Sequence, residues 1–312
     1  EPYRRQRQMC IRDSIIGDKV MIRFRKEKGY STAPYSVNIS LTEKCPLRCP
    51  FCFHKYENCH ELDFQTVCNY IDELTVLGTA QVQFSGGEPL LYSNLLKIIS
   101  YSHLRGLRTV MSTSGMGLSE KMAAELKTSG LDCCYISLNG SREKIHQLTR
   151  DGYEYAIQAL EILSKVGVTT AINWVAYHEN VRDLPRLIDL SKSFGVKYIS
   201  VLPMKKNNEG MILNQLNKKD IKKLAHYCSN FKDYLIVDSC FKELNVAMRS
   251  DKLSAGGCRA GIFYMAISAN GEFMGCPHLD EEGVKCSSIE EYWNKDERLY
   301  NHRKKRICNC LC

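Results

Sequence analysis

Three closely spaced cysteines are the residues of this sequence best suited to chemistry. Three residues separate Cys45 from Cys49, and two separate Cys49 from Cys52. They follow an alternating apolar run at residues 36–41, so a loop that leaves a strand end can fold the three sulfurs around one inorganic centre. Three thiolates leave one iron of a four-iron cluster without a protein ligand, and an exogenous molecule can bind there.

A structural zinc site is the alternative for this stretch. Zinc is usually held by four ligands, often with cysteines in pairs separated by two residues. His54, Cys59 and His60 are near enough to supply the fourth ligand. Taken alone, the stretch leaves both kinds of site open.

The cysteine spacing, with Phe51 before the third cysteine, resembles the signature of radical S-adenosylmethionine (SAM) enzymes. The resemblance implies that Cys45, Cys49 and Cys52 bind a 4Fe–4S cluster and that Phe51 packs near the adenine of SAM. In that family the open iron binds the amino and carboxylate groups of SAM, and one electron cleaves SAM to a 5′-deoxyadenosyl radical. A reductant such as flavodoxin or ferredoxin is implied as a partner.

A second motif, Gly86-Gly87-Glu88, follows the next predicted strand. Glycines punctuate many turns, so the motif alone has a simple structural explanation. Two glycines also let a backbone approach a ligand closely, and a carboxylate accepts hydrogen bonds from an ammonium group. The motif matches the one with which radical SAM enzymes bind the methionine amino group, and its presence after the cysteine loop favours that family over zinc.

Other predicted SAM contacts stand at later strand ends. Ser137 and Arg150 match the family's serine and arginine that hold the SAM carboxylate. An arginine can donate two hydrogen bonds to one carboxylate, which supports this match. A solvated arginine at a helix end is the alternative for Arg150. Thr113, Asn173 and Leu202 stand where the third, fifth and sixth strands reach the nucleoside. No residue is assigned as the catalytic base.

Apolar periodicity predicts the elements that must position these residues. The predicted strands span residues 36–41, 80–84, 107–112, 133–138, 168–175 and 197–201. The predicted helices span residues 63–77, 93–104, 119–128, 153–166, 181–194 and 218–230. A doubly wound sheet has the same local pattern, but polar and glycine residues recur at every strand's carboxyl end. We therefore predict an α/β fold with a partial (β/α)6 TIM-like barrel and its active site on that rim.

The alternation stops after about residue 231, and cysteines return. Cys258 precedes an apolar run, Asn270-Gly271 predicts a hairpin turn, and Cys276 follows the second run. This resembles the SPASM and twitch extensions of radical SAM enzymes, which hold auxiliary iron–sulfur clusters. The implied ligands are Cys258, Cys276, Cys308, Cys310 and Cys312. One auxiliary cluster is favoured; adding Cys240 and Cys286 gives seven cysteines and leaves a second cluster open.

Four segments are expected. Residues 1–14 resemble translated sequencing-adapter sequence and are excluded from fold reasoning, residues 15–35 are an N-terminal extension, residues 36–232 form the partial barrel, and residues 233–312 form a small cysteine-rich β-hairpin plus helix domain. At 312 residues, 44% of them hydrophobic, the chain is long enough for one barrel-sized core.

The composition also limits the cellular compartment and the classes of binding partner that we expect. Sixteen cysteines without a signal segment favour metal or cluster ligation in a reducing cytoplasm over a disulfide framework. No apolar run reaches membrane-spanning length. The net charge is +8, but the sequence contains no stripe of basic residues interleaved with aromatic residues. Neither a membrane nor a nucleic acid is expected as a partner.

The predicted function is that of a radical SAM enzyme that abstracts a hydrogen from its substrate. Relatives with such an extension act mostly on ribosomally made peptides, so a peptide maturase is the first choice. A small-molecule dehydrogenase or cofactor-biosynthesis enzyme of the twitch type is the alternative, and a zinc-stabilised binding protein is the non-enzyme alternative. Pro277 stands where sulfatase-maturing relatives have a catalytic Asp, which counts against that activity.

Overall fold

The structure, a computed structural model, describes residues 22–25, 27–54, 59–248, 258–279 and 283–305. Within these ranges the strands are β1 (Phe24–Arg25), β2 (Tyr30–Ser31), β3 (Ser36–Thr42), β4 (Gln81–Gly86), β5 (Arg108–Thr113), β6 (Cys133–Ser137), β7 (Thr170–Ala176), β8 (Ile199–Pro203), β9 (Leu235–Val237), β10 (Tyr264–Ile267) and β11 (Phe273–Met274). The α-helices are α1 (Phe64–Val76), α2 (Leu95–Leu104), α3 (Glu120–Thr128), α4 (Glu143–His146), α5 (Tyr153–Val166), α6 (Leu184–Ser193), α7 (Lys218–Asn230), α8 (Lys242–Ala247), α9 (Ile289–Lys295) and α10 (Glu297–Lys305).

Strands β3 to β11 form one nine-stranded sheet in the order β11-β10-β3-β4-β5-β6-β7-β8-β9. All neighbouring pairs are parallel except β10 and β11. Helices connect successive strands from β3 to β9, as parallel pairing requires. The predicted α/β partial barrel is therefore confirmed, and β9 adds a seventh parallel strand that the sequence pattern did not predict.

Helix α1 shows why the periodic segments become helices. Its N-cap Asp63 accepts a hydrogen bond of 3.0 Å from the Thr66 backbone N–H, which satisfies one of the free donors of the first turn. One face of the helix is buried against the sheet through Val67, Cys68, Ile71 and Leu74. The hydrophobic effect on that face stabilises the helix more than its intrinsic propensity does.

The two faces of the sheet differ in polarity. Ile39, Phe84 and Trp174 are fully buried in the apolar core that the sheet shares with the helices. Side chains alternate along a strand, so Gln83 and Asn173 lie on the opposite face, inside the barrel. The barrel interior therefore offers polar groups next to the strand ends.

The predicted C-terminal hairpin is present, but its position was not predicted. Strand β10 pairs in parallel with β3, with Tyr264 opposite Ser36, so the hairpin extends the barrel sheet. Helix α9 packs onto the N-terminal segment, where the Trp293 indole N–H donates a 2.9 Å hydrogen bond to the Ser31 carbonyl. The extension and the C-terminal region thus contact each other directly.

Some predictions lie outside the described residues. Residues 1–14 are among them, as are the predicted ligands Cys308, Cys310 and Cys312. No described helix combines the length and the apolar composition that a membrane span requires.

Candidate active site

The loop that follows β3 carries the three predicted cluster cysteines. All three are free thiols and partly buried, and the Cys52 backbone N–H donates a 3.0 Å hydrogen bond to the Cys49 carbonyl. The pKa of Cys45 is raised to about 11, chiefly by burial; a backbone hydrogen bond from Leu47 lowers it, and the nearby charges of Glu88, Cys49 and Cys52 raise it. The structure therefore brings the three thiols within electrostatic range of one another and of Glu88.

The far side of this loop is fixed to the segment between α4 and α5. The Asp151 backbone N–H donates to the Cys49 sulfur at 3.4 Å, and the Asp151 carboxylate accepts from the Arg48 backbone N–H at 2.8 Å. Burial raises the pKa of Cys49, while the positive charge of Arg150 lowers it. Arg150, a predicted SAM contact, thus lies beside a predicted cluster ligand.

The glycine motif is pressed against the start of the cysteine loop. The Gly87 backbone N–H donates to the Thr42 carbonyl at 2.6 Å, and the Glu88 N–H donates to the Lys44 carbonyl at 2.8 Å. A Cβ atom on Gly86 would lie 2.3 Å from the Thr42 carbonyl oxygen, and its φ of +133° also suits glycine alone. Glycine is therefore required for the two loops to meet.

Glu88 is the centre of a buried hydrogen-bond network. Its side chain is 1% exposed, and one carboxylate oxygen accepts from the Leu90 N–H at 3.1 Å and from the Thr113 hydroxyl at 2.5 Å. The other oxygen accepts from the backbone N–H and the hydroxyl of Ser114. Burial raises the pKa of Glu88, although the Ser114 and Thr113 hydrogen bonds favour the ionised form. Two predicted SAM contacts, Glu88 and Thr113, are thus in direct contact.

Arg150 has an unsatisfied donor. Its Nε is buried and has no hydrogen-bond partner among the described residues. Its guanidinium carbon lies 5.1 Å from the centroid of the Phe51 ring, which is within cation–π range. A buried donor without a partner is costly, so a carboxylate at this position would satisfy it.

Phe51 and Leu202, both predicted near the adenine, lie in one apolar cluster. They pack against Val175, Tyr177 and Met204 at the ends of β7 and β8. The loop after β8 also contacts the cysteine loop, because the Asn207 amide donates to the Pro50 carbonyl at 3.1 Å. An apolar patch therefore lies directly beside the cysteine loop.

Ser137 and Asn173 are opposite each other on neighbouring strands β6 and β7. The Asn173 amide donates to the Ser112 hydroxyl at 3.1 Å, and the Gln83 amide donates to the same hydroxyl at 2.8 Å. Sequence reasoning missed Ser112 and Gln83, although their strand positions alternate with buried apolar residues. Together these side chains form a polar lining inside the barrel.

A second group of cysteines lies within electrostatic range of a lysine. Burial opposes the positive charge of Lys205, but interactions with Cys276, Cys240 and Cys258 and with Asp238 raise its pKa. The sequence predicted two of these cysteines as auxiliary ligands and did not assign Lys205. Across the described ranges, no three His, Cys, Asp or Glu side chains have the spacing of a single-ion site.

The residues present fit the cofactors that the sequence implies. Soft thiolate donors suit iron–sulfur clusters, and the cysteine loop supplies three of them. The buried Nε of Arg150 suits a carboxylate, for which an arginine can supply charge-assisted hydrogen bonds. The donor chemistry is therefore that of a cluster site with an adjoining amino-acid site.

Comparison with known proteins gives the same family. Residues 39–191, about half of the chain, match the model of the Radical SAM superfamily. The PqqA peptide cyclase of Ruegeria pomeroyi is 31% identical over 175 residues, which are 54% of this chain and 47% of that protein. The chain thus spans about half the length of this curated relative.

Two solved structures share the fold. Streptococcus suis SuiB bound to its precursor peptide SuiA has a TM-score of 0.76 at 18% identity, covering 88% of this chain and 68% of that one. The structure of anSMEcpe with bound AdoMet has a TM-score of 0.65 at 16% identity, covering 89% and 84%. With the matched domain, the cysteine loop and the partial barrel in agreement, the chain belongs to the radical SAM superfamily.

Proposed function

We propose that this chain is a radical SAM enzyme that modifies a ribosomally made peptide. The observation that carries the proposal is the convergence of the three thiols, the Glu88 network and the unsatisfied Arg150 donor at one end of the barrel. A 4Fe–4S cluster with SAM supplies a 5′-deoxyadenosyl radical when bound, and that radical abstracts a hydrogen from the substrate. In this proposal, the chain's own residues bind and orient the cluster, SAM and the substrate.

Each predicted residue has a defined task in this proposal. Cys45, Cys49 and Cys52 hold the cluster, and Arg150 pairs with the SAM carboxylate. The buried Glu88 carboxylate receives the amino group, because the described residues place no cation beside it and an ammonium offsets the cost of burying an ionised carboxylate. Of the remaining predicted SAM contacts, Ser137 shares the carboxylate with Arg150, and Gly86 and Gly87 border the amino-group site. Phe51 and Leu202 form the adenine patch, and Thr113 and Asn173 lie on the nucleoside side.

The peptide class of substrate is supported by two relatives. One is named a PqqA peptide cyclase, and SuiB was solved with its precursor peptide SuiA. The polar lining of Gln83, Ser112 and Asn173 suits a substrate rich in amide groups. We further propose flavodoxin or ferredoxin as the electron donor and a reducing compartment, the cytoplasm, as the location; every described cysteine is a free thiol.

Deuterium transfer tests the substrate class. A panel of candidate precursor peptides would be prepared with full deuteration and incubated anaerobically with reconstituted enzyme, SAM and dithionite. At least one peptide should give deuterated 5′-deoxyadenosine and a peptide product that has lost deuterium. Deuterium transfer only from a deuterated small-molecule extract, and from none of the peptides, would favour the alternative, a small-molecule substrate. Colourless protein with tightly bound zinc and no SAM cleavage would reject the enzyme altogether.

A further inference from the structure

The loop that follows β8 is hydrogen-bonded to the backbone of the cysteine loop. This β8–α7 loop, residues 204–217, lies between β8 and α7. The Asn207 side-chain amide donates a 3.1 Å hydrogen bond to the Pro50 carbonyl. The Asn208 backbone N–H donates a 2.9 Å hydrogen bond to the Cys52 carbonyl. The β8–α7 loop therefore holds the chain on both sides of Phe51.

The peptide group that joins Pro50 to Phe51 has two partners. Its carbonyl accepts from Asn207 at 3.1 Å, and its N–H donates to the Thr149 carbonyl at 3.4 Å. The bond to Thr149 is longer than a usual N–H···O bond, so it is the weaker of the two. Asn207 thus makes the main contact that fixes the orientation of this peptide group.

Asn207 is itself fixed by a turn within the β8–α7 loop. The residue is 8% exposed, and its Oδ1 accepts from the Glu209 N–H at 3.0 Å and from the Met211 N–H at 2.9 Å. Its backbone N–H donates to the Met211 carbonyl at 2.8 Å, and its carbonyl accepts from the Gly210 N–H at 3.0 Å. Two donors at Oδ1 and a carbonyl at Nδ2 assign both ends of the amide. The donor to Pro50 is therefore held in one orientation.

The same loop packs against the Phe51 side chain. Met204 and Ile212, which lie on either side of the turn, belong to the apolar cluster that contains Phe51 and Leu202. Hydrogen bonds from the loop fix the backbone at Phe51, and apolar contacts from the loop fix its ring. Phe51 and Leu202 are the residues that the proposed function assigns to the adenine of SAM.

We propose that Asn207 is a positioning residue for SAM binding. Its amide fixes the Pro50–Phe51 peptide group, and so it sets how the Phe51 ring is presented to the adenine, directly before the cluster cysteine Cys52. The proposal deepens the proposed function and rests on it, because it requires SAM to bind beside the cysteine loop. Asn207 acts through Phe51 and does not contact SAM in this assignment.

Asn207→Asp separates the two tasks of the side chain. An ionised aspartate still accepts from the Glu209 and Met211 N–H groups, but it cannot donate to the Pro50 carbonyl. Asn207→Ala loses the bonds of the turn as well. In anaerobic urea denaturation of the apo-protein, the Asp variant should therefore be more stable than the Ala variant. Equal loss of stability in the two variants would overturn the assignment of the amide ends and, with it, the donor to Pro50.

Equilibrium dialysis of SAM against the reconstituted protein tests the positioning role. Asn207→Asp should raise the Kd for SAM about threefold to tenfold through the lost hydrogen bond, with iron per chain unchanged because all three thiols remain. Asn208→Ala is the matched control, since its side chain is exposed and the bond to Cys52 uses the backbone N–H. Wild-type affinity in Asn207→Asp, or an equal loss in the control, would overturn the proposal. Loss of iron from Asn207→Asp would also overturn it, because the residue would then serve cluster assembly.

Alkylation of the apo-protein gives a readout that needs no cofactor. Iodoacetamide would be applied briefly, and modification of the partly buried Cys52 would be quantified by mass spectrometry relative to the exposed Cys59. Asn207→Asp should raise this ratio about fivefold, because a segment that has lost a hydrogen bond opens more often. An unchanged ratio would overturn the claim that Asn207 holds the cysteine loop.

These measurements separate failure of the inference from failure of the proposed function. A wild-type protein that bound no SAM would reject the proposed function together with the role of Asn207 in SAM binding, even if the alkylation ratio rose as expected. Normal SAM cleavage by the wild type with unchanged affinity and alkylation in Asn207→Asp would reject the role of Asn207 alone.

Discussion

Replacing Gly87 with alanine tests how the glycine motif positions the cysteine loop. A Cβ atom at this position would lie 2.4 Å from the Lys44 carbonyl oxygen and 2.7 Å from the Glu43 carbonyl oxygen. Optimal contact between nonbonded atoms is roughly 3.5 Å, so the nearer overlap is about 1 Å. Both neighbours are backbone atoms, so no side-chain rotation relieves the overlap.

The size of the effect follows from what must move. Separating the two segments breaks the hydrogen bonds from Gly87 to Thr42 and from Glu88 to Lys44. Two such bonds contribute about 1 kcal/mol each, and overpacking adds about 1–3 kcal/mol. We therefore expect Gly87→Ala to lower the free energy of unfolding by about 3–5 kcal/mol, or to displace the cysteine loop and weaken SAM binding at least tenfold.

Anaerobic urea denaturation of the apo-protein and equilibrium dialysis of SAM against the reconstituted protein would measure the two effects. Gly117→Ala is the control, because a Cβ there meets no atom within 4 Å. Its φ of +84° should still make that substitution cost about 1 kcal/mol. If Gly87→Ala matched the control in both stability and SAM affinity, the close contact between the loops would be refuted.

Three further predictions concern other parts of the structure. Arg150→Ala should raise the Kd for SAM about tenfold to a hundredfold, because a charge-assisted hydrogen bond contributes about 1.5–3 kcal/mol, whereas exposed Arg186→Ala should leave it unchanged in the same dialysis assay. Burial raises the pKa of Cys45 to about 11, so only a small thiolate fraction exists at neutral pH and this fraction rises with pH. Iron uptake during reconstitution should therefore be faster at pH 8 than at pH 7, and equal rates would contradict this. Trp293→Phe removes the donor to the Ser31 carbonyl and should cost about 1–2 kcal/mol in urea denaturation without changing SAM affinity; an unaltered midpoint would contradict the contact.

Local patterns predicted the barrel well, because the signals that specify its elements are local. The helix over residues 153–166 begins and ends as predicted, since its apolar stripe is regular and Gly167 ends it in the left-handed region with φ of +74°. The three thiols and the glycine motif were predicted to meet because parallel strands end at one rim.

Contacts that depend on distant parts of the chain were not predicted. The parallel pairing of β10 with β3 joins residues more than 200 positions apart, and nothing in either strand specifies that register. In the sequence, Lys205 is only one of two adjacent lysines after a predicted strand, and its electrostatic interaction with distant cysteines depends on the fold. The network that joins Glu88 to Ser114 likewise depends on how two loops pack.

Reductive cleavage of SAM is the most direct test of the central claim, that the loop after β3 holds the reactive cluster. Reconstituted wild-type protein and the variant with Cys45, Cys49 and Cys52 changed to Ala would be incubated anaerobically with SAM and dithionite, and 5′-deoxyadenosine would be quantified by mass spectrometry. The wild type should form 5′-deoxyadenosine and the variant should form none. Equal product from both proteins, or none from an iron-loaded wild type, would contradict the account.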